Sequence, residues 1–340
     1  MELPYGLNDL RVERIISDTK VTCHVEGCGD RVDRQRRSFR PDTRFLCPRH
    51  GIYLSPSTFQ YEDRYRNLLW RDAEDRALLE RVARVKRTMA RLGRERDEDA
   101  LTWNVARAFD REERLGPVTR VLLAGKASPP AENEQPEIVY WGANAHGKVW
   151  PPLQGAQREF GEAPQAGTEP DLAVWWPGKC LVFVEAKFCA GNRTTPSVSS
   201  GKTDHRRSAY GKHAHFARVF KARYEELAVA ARKYELMRMW LLGSWIAHQE
   251  NVAFSLVNLV RAGAETDIEM AFGDRFCRQE PCRLFVRATW ESIWDALPSS
   301  GLSSETAATL DAYFRTKSCG YDHRGVLQTA FTAQSDRAGA

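Results

Sequence analysis

The stretch Glu169-Pro170-Asp171 to Lys187, EPDLAVWWPGKCLVFVEAK, constrains the fold more than any other part of the chain. Two apolar runs, Leu172–Trp176 and Cys180–Val184, flank Pro177-Gly178-Lys179. Short runs rich in Val, Trp and Phe around a Pro-Gly break predict a β-hairpin. Pairing residues at equal distances from Gly178 sets Asp171 opposite Glu185. Opposed residues share a face, with Cβ atoms about 5 Å apart. Strand alternation puts Lys187 on that face too. Two carboxylates and one ammonium thus converge at one end of an apolar hairpin, where charge is costly unless paired or bound to a metal. A salt-bridged strand end would meet that requirement, and so would a metal site.

Pro170-Asp171, thirteen residues, then Glu185-Ala186-Lys187 resembles the motif of the PD-(D/E)XK nuclease superfamily. Asp18-Thr19-Lys20 also fits acid-x-Lys, but it has no Pro-Asp partner. The resemblance implies an α/β fold with a restriction-endonuclease-like αβββαβ core and a mixed central sheet. It implies that Asp171 and Glu185, helped by the Ala186 carbonyl, hold Mg²⁺ or Mn²⁺, and that Lys187 positions or activates the attacking water. It also implies an acid on the first core helix. A helix is predicted to start at Asp97, with Leu101, Val105 and Phe109 as its buried stripe, and Glu98 falls on that face. Asp99 competes for the role, and a first-turn acid is also favoured by the helix dipole alone.

Cys23, Cys28, Cys47 and His50 are spaced C-x4-C-x18-C-x2-H. Two pairs of soft ligands separated by a loop suit a tetrahedral structural Zn²⁺. So short a segment cannot bury a core, and metal binding would supply folding energy. His24 is the alternative fourth ligand. The loop between the pairs is rich in Arg, including Arg34, Arg36 and Arg37, with Phe39 and Phe45 interleaved. Arg with aromatic residues suits phosphate contact and base stacking.

These signals divide the chain into a zinc-finger-like module at 1–61, a connecting helix at 62–93 and a main domain at 94–340. The helix rests on Leu78, Val82, Val85, Met89 and Leu92, spaced by fours and threes. In the main domain Val118–Ala124, Glu137–Trp141, Asn251–Val260 and Leu284–Thr289 read as strands, and residues 207–247, 291–297 and 304–315 as helices. A Gly-, Ser- and Thr-rich stretch after Lys187 leads to a basic cluster with Arg206, Arg207 and Lys212, suited to a phosphate backbone. Tyr234-Glu235 resembles the start of the helix that follows the ExK strand in nucleases of the superfamily, many of which carry Gln at that place. Cys180 and Cys189 flank the hairpin and read as core thiols; Cys277-x4-Cys282 and Cys319-x3-His323 read as buried thiols in preference to a second metal site.

Of the 340 residues 42% are hydrophobic, enough for a real core, and the net charge of +5 permits a nucleic-acid partner. No run approaches the ~18 apolar residues of a membrane span, and the N-terminal residues lack the apolar core of a signal peptide. A cytoplasmic protein is expected, with its 8 Cys as ligands or thiols rather than disulfides. The resemblance makes it a Mg²⁺-dependent nuclease of DNA, with RNA as the other substrate, in bacterial defence or mobile-element processing. The rivals are a zinc-containing nucleic-acid-binding protein with an inactive nuclease-like domain, and an interaction scaffold that forms a homodimer or binds a protein partner.

Overall fold

The computed structural model describes residues 2–36, 39–86, 91–131, 134–162, 167–196 and 209–333. The chain divides into two compact units, each assembled from separate stretches. One is Met1–Asp75 with Thr88–Glu112 and Trp294–Ala340; the other is Arg76–Arg87 with Glu113–Ile293. The expected boundaries at 61 and 93 do not mark this division, because the end of the chain returns to the first unit. Leu7 N–H donates to the Thr316 carbonyl at 2.7 Å, Tyr321 N–H to Ser57 at 2.8 Å and Leu327 N–H to Val12 at 2.8 Å.

The second unit is built on one mixed sheet of five strands. Their order is Arg283–Thr289, Ala253–Val260, Cys180–Ala186, Leu172–Trp176, Glu137–Tyr140. Glu137–Tyr140, Leu172–Trp176 and Cys180–Ala186 form an antiparallel meander, and the remaining strands run parallel to Cys180–Ala186. A parallel step needs a crossover, and helix Tyr234–Glu250 lies in the one between Cys180–Ala186 and Ala253–Val260. Every residue of Leu172–Trp176 is buried, which is why that strand is a continuous apolar run and not an alternating one. Phe183, Phe254, Leu256 and Phe285 of the sheet form one core with Trp240, Leu236 and Leu241 of the helix. The helix sits tight on the strands: a Cβ at Gly243 would fall 2.2 Å from the Phe254 ring.

The hairpin forms as the sequence predicts. Trp176 pairs with Cys180 and Leu172 with Val184, symmetrically about Gly178, whose φ of 71° suits a residue without Cβ. One expected strand is a helix. Residues Leu115–Leu122 are helical, and Leu115, Val118, Thr119 and Leu122 are its buried face. Their spacing of three and four is a helical period, and it outweighs the β-branched content that suggested a strand. Within 62–93 the helix is Ala73–Ala83, with Leu78, Leu79 and Val82 buried; Met89 lies outside the described residues.

In the first unit, helix Glu98–Arg111 is capped by Asp97, whose side chain accepts from Asp99 N–H at 3.1 Å. Asn104, fully buried, accepts from Leu69 N–H at 2.8 Å and donates to the Asn67 carbonyl at 3.0 Å. Just before this helix, buried Glu95 ties three segments together. Thr58 Oγ1 donates to its Oε2 at 2.8 Å, Ser318 Oγ donates to its Oε1, and Lys317 Nζ donates to its backbone carbonyl.

Burial raises the Glu95 pKa to about 7, against the pull of Lys317 and Thr58. The folded state therefore keeps a proton that the unfolded chain releases near the ordinary value of 4.5. Below that value both states are protonated and stability is full; it falls as pH rises from about 4.5 to about 7 and then levels off. The fall is on the order of 3 kcal/mol. Thermal melts between pH 5 and pH 8 should show a decline in wild-type Tm that Glu95→Gln flattens. Parallel declines in the two proteins would refute this assignment.

Candidate functional site

Two clusters of chemistry-bearing side chains stand out, one in each unit. In the first unit Cys23, Cys28, Cys47 and His50 place one ligand atom each within 4.8 Å of all the others. Cys23 follows strand Lys20–Thr22 and Cys47 ends the short strand Leu46–Cys47. His50 Nδ1 lies 3.5 Å from both Cys23 Sγ and Cys47 Sγ, and Cys28 Sγ lies 3.9 Å from Cys47 Sγ. Arg11 fixes the first pair from behind, donating to the Cys23 carbonyl at 2.9 Å and the Cys28 carbonyl at 2.5 Å. Arg66 does the same for the second pair, donating to the His50 carbonyl at 2.7 Å. This Cys3His set could hold a metal such as zinc.

Burial pushes the Cys23 and Cys47 thiols up and the His50 imidazole down. A metal entering here would displace the thiol protons. His24 is not a member of the set. It is fully buried, both ring nitrogens lack hydrogen bonds, and its ring packs 4.7 Å from Tyr321.

The other cluster is at the end of the hairpin in the second unit. The register, continued by one residue from Leu172 opposite Val184, sets Asp171 against Glu185. Ala186 N–H donates to Asp171 Oδ2 at 2.8 Å, and Trp141 N–H donates to the Asp171 carbonyl at 3.1 Å. Glu185 is 2% exposed and Lys187 7%. Lys187 Nζ lies 2.5 Å from Glu185 Oε1 and 3.4 Å from Glu235 Oε2. The Lys187 backbone is clamped on both sides, donating to the Leu259 carbonyl at 2.8 Å and accepting from Trp290 Nε1 at 3.1 Å.

Glu235 stands in the first turn of helix Tyr234–Glu250. Its participation depends on a contact across 48 positions of sequence, and the sequence signal for it was the Tyr234-Glu235 resemblance. Two carboxylates thus share one ammonium, and Asp171 adds a third negative charge beside Glu185. Burial, first of all, raises the Glu185 pKa well above the ordinary value; Lys187 opposes the rise, and Asp171 and Glu235 add to it. Such an excess of negative charge in a dry place favours a cation. Among the described residues, however, only the Cys3His set gathers three or more His, Cys, Asp or Glu ligand atoms closely enough to hold an ion.

Behind Glu185, the adjacent strand carries Asn258 in register with it. Asn258 Nδ2 donates to Glu265 at 2.9 Å, and Asn192 donates to Asn258 Oδ1 and to Glu265 Oε2, each at 2.7 Å. This network docks the segment that follows Lys187 onto strand Ala253–Val260.

The remaining candidates are distributed over both units. Glu98 is the first residue of helix Glu98–Arg111, in the first unit, whereas Asp171, Glu185 and Lys187 are in the second. Arg34 donates to the Ser17 carbonyl at 3.3 Å and Arg36 to the Asp18 carbonyl at 2.8 Å. Lys212 is exposed and lines a cavity of about 860 Å³ with Lys221, Arg223 and Arg278. Arg37, Arg206 and Arg207 lie outside the described residues. Cys277 is buried as expected, but Cys189 and Cys282 are exposed, Cys180 and Cys319 are partly so, and none of these five belongs to a ligand set among the described residues.

Chelation, or Cys47→Ser, should release one zinc per chain. Amide-exchange protection should then fall in residues 1–75 and in strands Ser318–Tyr321 and Leu327–Thr329, and persist in the five-stranded sheet. Unchanged protection in the first unit would show that the cluster is not structural. Comparison of the chain with protein-family models, with curated proteins and with solved structures finds no match.

Proposed function

We propose that this protein is a Mg²⁺- or Mn²⁺-dependent nuclease that hydrolyses phosphodiester bonds of DNA. The observation that carries the reading is the pairing of Asp171 with Glu185 across the hairpin, with Lys187 two residues on and held against Glu185. The order of elements supports it as well. An antiparallel meander, a helix and a parallel strand follow one another as in a restriction-endonuclease-like core, with Glu185 at the end of the third strand and Asp171 at the start of the second.

Asp171 and Glu185 offer the hard oxygen ligands that Mg²⁺ prefers, with the Ala186 carbonyl next to Glu185 in sequence. A bound ion would polarise the phosphate and acidify a water. Glu235 supplies a helix-borne acid within the sheet's own unit, so the reading does not depend on Glu98. Lys187 sits between Glu185 and Glu235. From there its ammonium can orient the attacking water, or donate to a non-bridging oxygen as negative charge grows on the phosphate. Water oxygen bonds to phosphorus and gives up a proton to solvent, the bond from phosphorus to the leaving sugar oxygen breaks, and that oxygen takes up a proton from solvent. Arg34, Arg36 and Lys212 supply positive charge for the DNA backbone, and in this reading Arg37, Arg206 and Arg207 add to it.

Incubation with plasmid DNA and Mg²⁺ or Mn²⁺ tests the proposal. Asp171→Ala or Glu185→Ala should cut the rate at least 10³-fold, on the order of 4 kcal/mol of barrier, with DNA binding retained. Lys187→Ala should lose cleavage while keeping much of its metal affinity, because Lys is not a ligand. Glu235→Gln should slow cleavage less than either acid-to-Ala change. Folding should survive in the three acid variants, since each relieves crowding among carboxylates; Lys187→Ala, which strips Glu185 of its close cation, should lose some stability. Acid variants that unfold, or a wild type that binds DNA and never cuts it, would make the cluster a structural ion pair.

A further inference from the structure

A cavity of about 380 Å³ opens in the first unit, at the low end of the usual size for a ligand site. Its walls come from three stretches of chain: the loop after strand Arg31–Asp33, the turn at 55–58, and the segment leading into helix Glu98–Arg111. Arg36 comes from the first and Arg94 and Arg96 from the third; Ser55 and Ser57 add hydroxyl groups. Asp97 is the acid among the lining residues, and its side chain caps the helix by accepting from Asp99 N–H.

Several arginines elsewhere in this unit pair with carboxylates. Arg107 lies 2.7 Å from Asp75, Arg44 2.9 Å from Asp42 and Arg315 2.9 Å from Asp311. Arg36, Arg94 and Arg96 form no ion pair with a described carboxylate. Arg94 is half-buried, with its guanidinium 4.7 Å above the Phe39 ring and its Nε donating to Gln60 Oε1 at 3.2 Å. Burial and then Arg91 lower its pKa, Asp97 raises it and Arg96 lowers it again; with three guanidiniums against one carboxylate, the lining is net positive. The planar five-donor guanidinium matches a phosphate better than any other side chain does.

We infer that this cavity is a phosphate-group site, in which Arg36, Arg94 and Arg96 clasp one phosphate of a nucleic-acid strand. The volume exceeds that of a lone phosphate, so the attached sugar fits as well. The phosphate is either a terminal monoester or an internal diester, since both present the same oxygens to the guanidiniums. This shares with the nuclease reading the nucleic-acid ligand and Arg36, and it stands whether or not the Asp171–Glu185 site cuts.

The test uses the full-length, zinc-loaded protein without added Mg²⁺, so that binding is read apart from cleavage. The probes are one single-stranded oligonucleotide with a 5′-phosphate or a 5′-hydroxyl, with inorganic phosphate as competitor. Arg96→Gln and Arg36→Gln should each weaken binding about ten-fold and reduce the salt slope by about 1. Arg315→Gln, on the same unit but paired with Asp311, should leave both unchanged. Loss confined to the 5′-phosphorylated strand assigns a terminal phosphate, and equal loss on both strands assigns an internal one. Wild-type binding of neither strand overturns the inference. So does binding that resists inorganic phosphate and is unaltered in both variants. Arg94 is left intact because its contacts with Phe39 and Gln60 also serve the fold. Should Arg96→Gln melt early, Arg36→Gln, at an exposed loop position, carries the same decision.

Discussion

The register of the hairpin about Gly178 is the constraint on which the second unit depends. A slip of one residue would turn Asp171 to the opposite face from Glu185 and Lys187, and would also turn every apolar side chain of the hairpin around. Because Leu172–Trp176 is buried on both faces, such a slip gains nothing from solvent. The turn fixes the pairing, the strands make it costly to leave, and the charged residues are carried to the end of the sheet as a consequence. Helix Tyr234–Glu250 then closes over that end. Its approach at Gly243, too close for a Cβ, holds the first turn and Glu235 against Lys187.

Much of this geometry is legible in the sequence because it is local. The Pro-Gly turn, the alternation from Glu185 to Lys187 and the C-x4-C and C-x2-H pairs each act over a few residues, and their partners can be counted off. The helix at Leu115–Leu122 was legible too, but its Val and Leu residues fit a strand by composition, and only their period told otherwise. Long-range relations were not. Glu95 looks like one more acid in an Arg-rich run, until Thr58 and Ser318 close on it from opposite ends of the chain. Arg94 and Arg96 share that run, and nothing in it shows that Arg36 will face them.

Three buried acids illustrate three ways of carrying charge indoors. Asp75 is matched by the guanidiniums of Arg107 and Arg111. Glu95 is held largely by hydroxyl donors and shifts its titration instead. Glu185 has one close cation and two acidic neighbours, the least settled arrangement of the three. The crowding is a cost to stability, and sites that do chemistry commonly carry such costs.

The first unit is discontinuous in sequence, and this bears on how the chain is made. Tyr321 packs on His24 and its hydroxyl donates to the Arg11 carbonyl at 2.9 Å. Arg11 in turn holds the loop of Cys23 and Cys28. On a ribosome working at about 5–20 residues per second, Tyr321 emerges on the order of ten to fifty seconds after residue 75. For that interval the cysteine loops lack their last wall, while the intervening sheet can already form. A nascent chain is thus richest in accessible thiols while it is still being synthesised. A metal captured early would guard those thiols, and a chain broken off before residue 321 would leave the ligand loops marked as unfinished for proteolysis.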